Sequence, residues 1–153
     1  MVLERMIASL QSHPVPASGC LGSGVWHLEA LVDRDITVEN GSDASLLIFD
    51  GDASAEINID VESGAKLRIL NIVNHKSAST IAIAIAEGSE CRMTQVVCSS
   101  SDSRVVASLM DRDARFELGG VFVLTDDDQT SVTADVNHIS PDCVSRIMVK
   151  GVA

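Results

Sequence analysis

Apolar and polar residues alternate in short runs along most of this chain. Ile57-Asn58-Ile59-Asp60-Val61 is one run and Ile81-Ala82-Ile83-Ala84-Ile85 is another. Residues 105–109 and Val132-Thr133-Ala134-Asp135-Val136 continue the series. A period of two is the mark of a strand with one buried face. The runs also recur: centred on Ile59, Ile83, Ala107 and Ala134, they lie 24, 24 and 27 residues apart.

A second element repeats between them. It consists of an acidic turn, a small residue, a basic residue and then alternating apolar positions. One copy is Glu62-Ser63-Gly64-Ala65-Lys66-Leu67-Arg68-Ile69. Others are Glu87-Gly88-Ser89-Glu90-Cys91-Arg92-Met93 and Asp111-Arg112-Asp113-Ala114-Arg115-Phe116-Glu117-Leu118, with looser copies at 39–48 and 141–147. The small residues Ala44, Ala65, Cys91, Ala114 and Cys143, spaced by 21, 26, 23 and 29 residues, are expected at a tight corner of each unit. Polar segments at 50–52, 74–79, 99–103 and 126–130 supply the other turn.

Fixed-period self-similarity of this kind predicts a solenoid. Two strands per unit, each stacked on its own kind, give a parallel β-helix in which Leu67, Ile69, Ile81, Ile83, Ile85, Phe116, Leu118, Val132 and Val136 point inward. The competing architecture is an antiparallel sandwich, which favours two-residue hairpin turns. Asn40-Gly41 is the only dipeptide of that type. Ahead of the repeats, Leu3, Met6, Ile7 and Leu10 have helical spacing, 14–24 is loop-like, and Trp26, Leu28 and Ala30 alternate as a strand. The expected division is a cap at 1–35 and a β-helix core at 36–153.

Composition narrows the function. Aromatic residues make up 3% of 153 residues, so the core is aliphatic. A formal charge of -11 repels nucleic-acid phosphates and anionic lipid. Scarce aromatics also argue against base stacking and against the sugar platforms of a carbohydrate-active β-helix. Cys20, Cys91, Cys98 and Cys143 form no C-x-x-C pair. Free thiols, no signal peptide and no membrane span are expected, which places the chain in a reducing cytoplasm.

The C-terminal stretch carries the most specific pattern. Val136, His138, Pro141, Ser145, Arg146, Lys150, Gly151 and Val152 fit V-x-H-x-x-P-x-x-x-S-R-x-x-x-K-G-V. This resembles the signature in the core of the SufB/SufD family of iron–sulfur cluster assembly proteins. Glu62-Ser63-Gly64-Ala65-Lys66-Leu67 resembles that family's E-x-G-A-x-L turn, and Leu118-Gly119-Gly120 its L-x-G segment. The resemblance covers roughly 36–152. It implies a right-handed parallel β-helix and a non-catalytic scaffold. It further implies a SufC-like ATPase and a SufB- or SufD-like protein as partners. Family members continue beyond K-G-V into coils with a late cysteine and histidine and into an ATPase-docking helical segment. This sequence stops at Ala153, so the expectation is a short paralogue or a scaffold core.

Chemistry of the chain's own is sparse in this reading. No catalytic residue and no cofactor is expected. His138 and Cys143, five residues apart around a proline turn, are the candidate soft-metal ligands. The structural reading is preferred, so no metal is expected: His138 bonds a turn carbonyl and Cys143 fills a corner. Cys91 is expected to pack at a corner, and Cys98 to sit exposed at a serine-rich turn. Asp126-Asp127-Asp128 lacks the spacing of a calcium loop and reads as a solvated turn. Gly22-Ser23-Gly24 lacks the lysine and helix of a phosphate loop, and Ser99-Ser100-Ser101 has no histidine at a motif spacing. Ser145, Lys150 and Gly151 are expected to serve turn and edge geometry, with Gly151 holding a conformation closed to other residues. Association through the edge near 145–152 is expected. A self-associating structural β-helix is the alternative function.

Overall fold

The computed structural model describes residues 11–30, 32–50, 54–74, 76–125 and 127–152. The predicted helix at residues 1–10 and the turn residues Gly51, Asp52 and Asp126 lie outside them. No helix occurs among the described residues. The chain forms thirteen strands: β1 (His13–Pro14), β2 (Cys20–Leu21), β3 (Gly24–Ala30), β4 (Arg34–Val38), β5 (Asp43–Asp50), β6 (Ala55–Val61), β7 (Lys66–Val73), β8 (Ser77–Ile85), β9 (Glu90–Val97), β10 (Ser101–Leu109), β11 (Arg115–Val123), β12 (Thr130–His138) and β13 (Val144–Val152).

Odd strands build a seven-stranded sheet in the order β1-β3-β5-β7-β9-β11-β13, and even strands a six-stranded sheet in the order β12-β10-β8-β6-β4-β2. Every ladder is parallel. The chain is therefore a parallel β-helix, and the antiparallel sandwich is excluded. The sheets reach back to His13 and Cys20, where the sequence alone reads as a loop, because these two-residue strands extend the ladders of β3 and β4.

Parallel register stacks side chains into columns. One inward column is Leu46, Ile69, Met93 and Leu118, exposed by 1%, 2%, 1% and 3%. Across the interior, Val61, Ile85 and Leu109 form another fully buried column. All nine residues expected inward do face the core. Val132 and Val136 are only half-buried because they belong to the last even strand.

The corners set the register. Ser42, Ala65, Ser89, Ala114 and Cys143 occupy equivalent places. The carbonyls of the first four accept from Lys66, Glu90, Arg115 and Val144 of the next coil at 2.8–3.1 Å. Ala44 and Cys91, expected at the corner, instead lie two residues further on, inside the strands, where Cys91 stacks between Leu67 and Phe116. Being small misplaced them: the hydrogen-bond ladder fixes the register, and side-chain size does not. The residue before each corner is left-handed, with φ of 72°, 70° and 65° at Gly41, Gly64 and Gly88. The last two coils place Asp113 and Asp142 there, at φ 60° and 61°. Aspartate tolerates this region better than most residues do.

The strands are longer than the alternation suggests. β8 and β10 begin at Ser77 and Ser101, inside segments expected to be turns. Ser79, Ser101 and Ser103 are buried at inward positions, so polar side chains continue a strand face that the apolar pattern could not reveal.

At the left-handed positions, Gly64→Ala should lower the unfolding free energy by about 1–2 kcal/mol, the cost of a Cβ in that region. Asp113→Gly should leave it unchanged or raise it by a few tenths. Urea titration of the two variants is the measurement, and equal midpoints for both would refute the assignment.

Candidate functional site

The sequence motif and the solenoid's last coil coincide. β13 is the edge strand of the larger sheet and β12 that of the smaller. Two inward columns change character there. Leu67, Cys91 and Phe116 are followed by Ser145, and Ile85 and Leu109 are followed by His138. The two newcomers meet, with His138 Nε2 2.9 Å from Ser145 Oγ. A hydrogen bond thus closes the last coil where hydrophobic contact closes the earlier ones. It spans the turn between β12 and β13. Strand parity carries this signal in the sequence, because both residues fall on inward positions.

Cys143 lies in the same turn but turns elsewhere. Its Sγ donates to the carbonyl oxygens of Asp111 at 3.1 Å and Pro141 at 3.6 Å. The corner it fills is therefore tied back to the preceding coil. Arg112 Nε and Asp142 form an exposed pair at 3.9 Å beside it. Imidazole and thiol are thus each engaged with separate partners, and no three His, Cys, Asp or Glu side chains gather as a metal site among the described residues. The histidine bonds a serine hydroxyl rather than the turn carbonyl expected of it.

The remaining motif residues frame this turn. Pro141 lies exposed in it, Arg146 and Lys150 project outward from β13, and Val136 packs on the core. Gly151 pairs with Phe122 and has no left-handed φ, and a Cβ there would meet nothing within 4 Å. The backbone reason expected for this glycine is absent.

The end is apolar around its polar closure. Ile147 continues the column of Leu118 yet is 46% exposed, and Val149 is 49% exposed. Leu118 itself is only 3% exposed, so the difference is the absence of a following layer among the described residues. Val144 and Met148 add further exposed apolar surface on the outward side.

The sequence profile described as "SUF system FeS cluster assembly, SufBD core domain" matches residues 33–153. The chain belongs to the SufBD core family. A role in iron–sulfur cluster assembly comes with that membership, and the matched span includes the whole β12–β13 turn. Comparison with curated proteins and with solved structures finds no match.

Elsewhere, the surface offers little chemistry. A shallow trough of about 640 Å³ crosses the outer face of the smaller sheet, lined in part by Asp33, Glu56, Asp102, Arg104 and Asp135. Its arginine is already paired to Asp135 at 3.0 Å. Cys91 is fully buried, and burial, reinforced by the neighbouring Glu90 charge, pushes its thiol far above the ordinary range. Such a thiol is inert. Cys20 and Cys98 are exposed. In the turn after β11, Asp128 accepts from Thr125 N at 3.1 Å, Thr125 Oγ1 at 2.8 Å and Ser100 Oγ at 3.1 Å. These bonds, the Thr125 backbone first among them, hold its carboxyl below its ordinary value.

Two outcomes test these environments. Iodoacetamide on the native chain should label Cys20 and Cys98 within minutes and Cys91 only after unfolding, as read by peptide mass spectrometry; rapid native labelling of Cys91 would contradict its burial. Since the folded-state pKa of Asp128 is depressed, its contribution is present above the unfolded value of about 3.9 and is lost as pH falls through the lower folded value. Asp128→Asn should therefore flatten the acid side of the melting-temperature profile, and an unaltered acid limb would argue against those bonds.

Proposed function

We propose that this chain is a non-catalytic scaffold component of iron–sulfur cluster assembly. It acts with a SufC-like ATPase and a SufB- or SufD-like protein. The observation that supports this reading is the end of the solenoid: a family motif lying on an edge strand whose inward residues Ile147 and Val149 are half exposed. An edge of free N–H and C=O groups invites another strand. Here Lys150 is its one charged residue between Ile147 and Gly151. A partner β-helix placed there, or a second copy, buries both apolar side chains and completes the ladder.

His138 and Ser145 hold the shape of that end, and Cys143 anchors its turn. In this reading the pair are positioning groups for the interface. The imidazole and thiol are also the two groups of the last coil able to bind a soft metal, should partner binding reorient them. The exposed thiols of Cys20 and Cys98 suit a reducing cytoplasm. No helix among the described residues is long and apolar enough to cross a membrane.

A self-associating structural β-helix is the second reading, and the same exposed edge favours it. Pull-down with a SufC-like ATPase and a SufB- or SufD-like protein separates the two. Capture of both proteins supports the scaffold, whereas filaments under electron microscopy with no capture support the structural role. Anaerobic incubation with iron and sulfide followed by desalting should leave the isolated chain without a cluster absorption band.

Light scattering after size exclusion should show a dimer that added salt favours, because salt screens the repulsion between two chains of charge -11. Replacing Ile147 and Val149 by Lys should raise the dissociation constant at least tenfold. Burying one such aliphatic side chain is worth about 1.5–3 kcal/mol, and about 1.4 kcal/mol is a factor of ten. A monomer at high concentration and moderate salt that binds neither partner would overturn the proposal.

A further inference from the structure

The interior of the β-helix is not apolar throughout. At one inward column of the larger sheet the sequence runs Ile48, Asn71, Gln95, Gly120 and Val149 from coil to coil. Asn71 is 0% exposed and Gln95 1%. On the smaller sheet, an inward column runs Ala55, Ser79, Ser103 and Val132, with Ser103 1% exposed. Val132 packs against the small apolar cluster of Val73, Val97 and Phe122. That cluster lies two residues beyond the amide column on β7, β9 and β11. The serine column and the amide column therefore share one end of the interior, between the main core and this satellite cluster.

Several polar atoms of this layer are buried without a partner. Nδ2 and Oδ1 of Asn71, Nε2 of Gln95 and Oγ of Ser103 have no hydrogen-bond partner among the described residues. Asn71 and Gln95 are direct neighbours in the ladder, but their side chains differ by one methylene, so their amides do not stack level. A buried amide or hydroxyl without a partner costs roughly 1–3 kcal/mol. Natural interiors rarely leave several together. Gly120, next in the column, contributes no side chain. A Cβ there would lie 3.5 Å from the Phe122 ring and from Val149, ordinary contact distance, so apolar groups flank the column next to Gln95.

We propose that Asn71, Gln95 and Ser103 form a buried binding site for ordered water inside the solenoid. Water suits the site because one molecule both donates and accepts. The site offers a donor and an acceptor from Asn71, a donor from Gln95 and a hydroxyl of either sense from Ser103. Two to four polar partners are what a buried water requires. A bare ion is disfavoured, as no charged side chain is buried in this layer. The layer thus acts as a hydrated joint between two dry clusters.

Water-proton relaxation dispersion on the full chain tests this, paired with the double variant Asn71→Leu, Gln95→Met. These replacements keep side-chain length and remove the amides. The wild-type chain should show a dispersion from long-lived internal water, and the folded variant, checked by circular dichroism, should lose most of that amplitude. Equal amplitudes in both proteins would overturn the proposal. If the variant fails to fold, an atomic-resolution map of the wild-type chain decides instead. Solvent bonded to Asn71 and Gln95 supports the site, and a direct amide–amide bond with no solvent between refutes it.

Discussion

No coil of this protein can bury its own inward row. Each contributes two narrow strands whose apolar residues gain cover only when the coils before and after are stacked on them, in register, through parallel hydrogen-bond ladders. The buried column of Leu46, Ile69, Met93 and Leu118 shows the dependence directly, since each member is covered by its neighbours along the column. Register is held at the corners. There the left-handed residue and the small residue after it let the backbone turn sharply while its carbonyl bonds the next coil. The outward ion pairs, such as Arg68 with Asp43 and Arg104 with Asp135, link adjacent coils too, but they are exposed and contribute little by comparison.

The same dependence shapes β12 and β13, the last coil among the described residues. A column that ends must either expose its last member or change chemistry. This protein does both: Ile147 and Val149 are exposed, while His138 and Ser145 substitute a polar closure for two columns of aliphatic and aromatic side chains. The span that matches the family, residues 33–153, includes this coil.

Polarity inside the solenoid has a different logic. Asn71, Gln95 and the inward serines stand where uninterrupted aliphatic columns would be simpler. Buried polar groups lower stability unless they are satisfied. Asn71, Gln95, Ser79 and Ser103 lie to one side of the main apolar cluster, which stays continuous.

The sequence by itself determined the architecture, because a period of two within strands and a near-constant period between them leave few ways to bury Ile59, Ile83 and Phe116 together. It also carried the family, through residues from His138 to Val152. Its limits were local. Residue size put Ala44 and Cys91 at corners, whereas the ladder of backbone bonds places Ser42 and Ser89 there. Serine-rich starts of β8 and β10 read as turns because a polar inward residue has no apolar signal to show which way it faces. Only the tertiary structure joined His138 to Ser145 and aimed Cys143 at Asp111, since both contacts depend on the path of a turn and on the coil beneath it. Strand periodicity is a property of neighbours in the chain, but what an end residue touches is decided by the layer it stacks on.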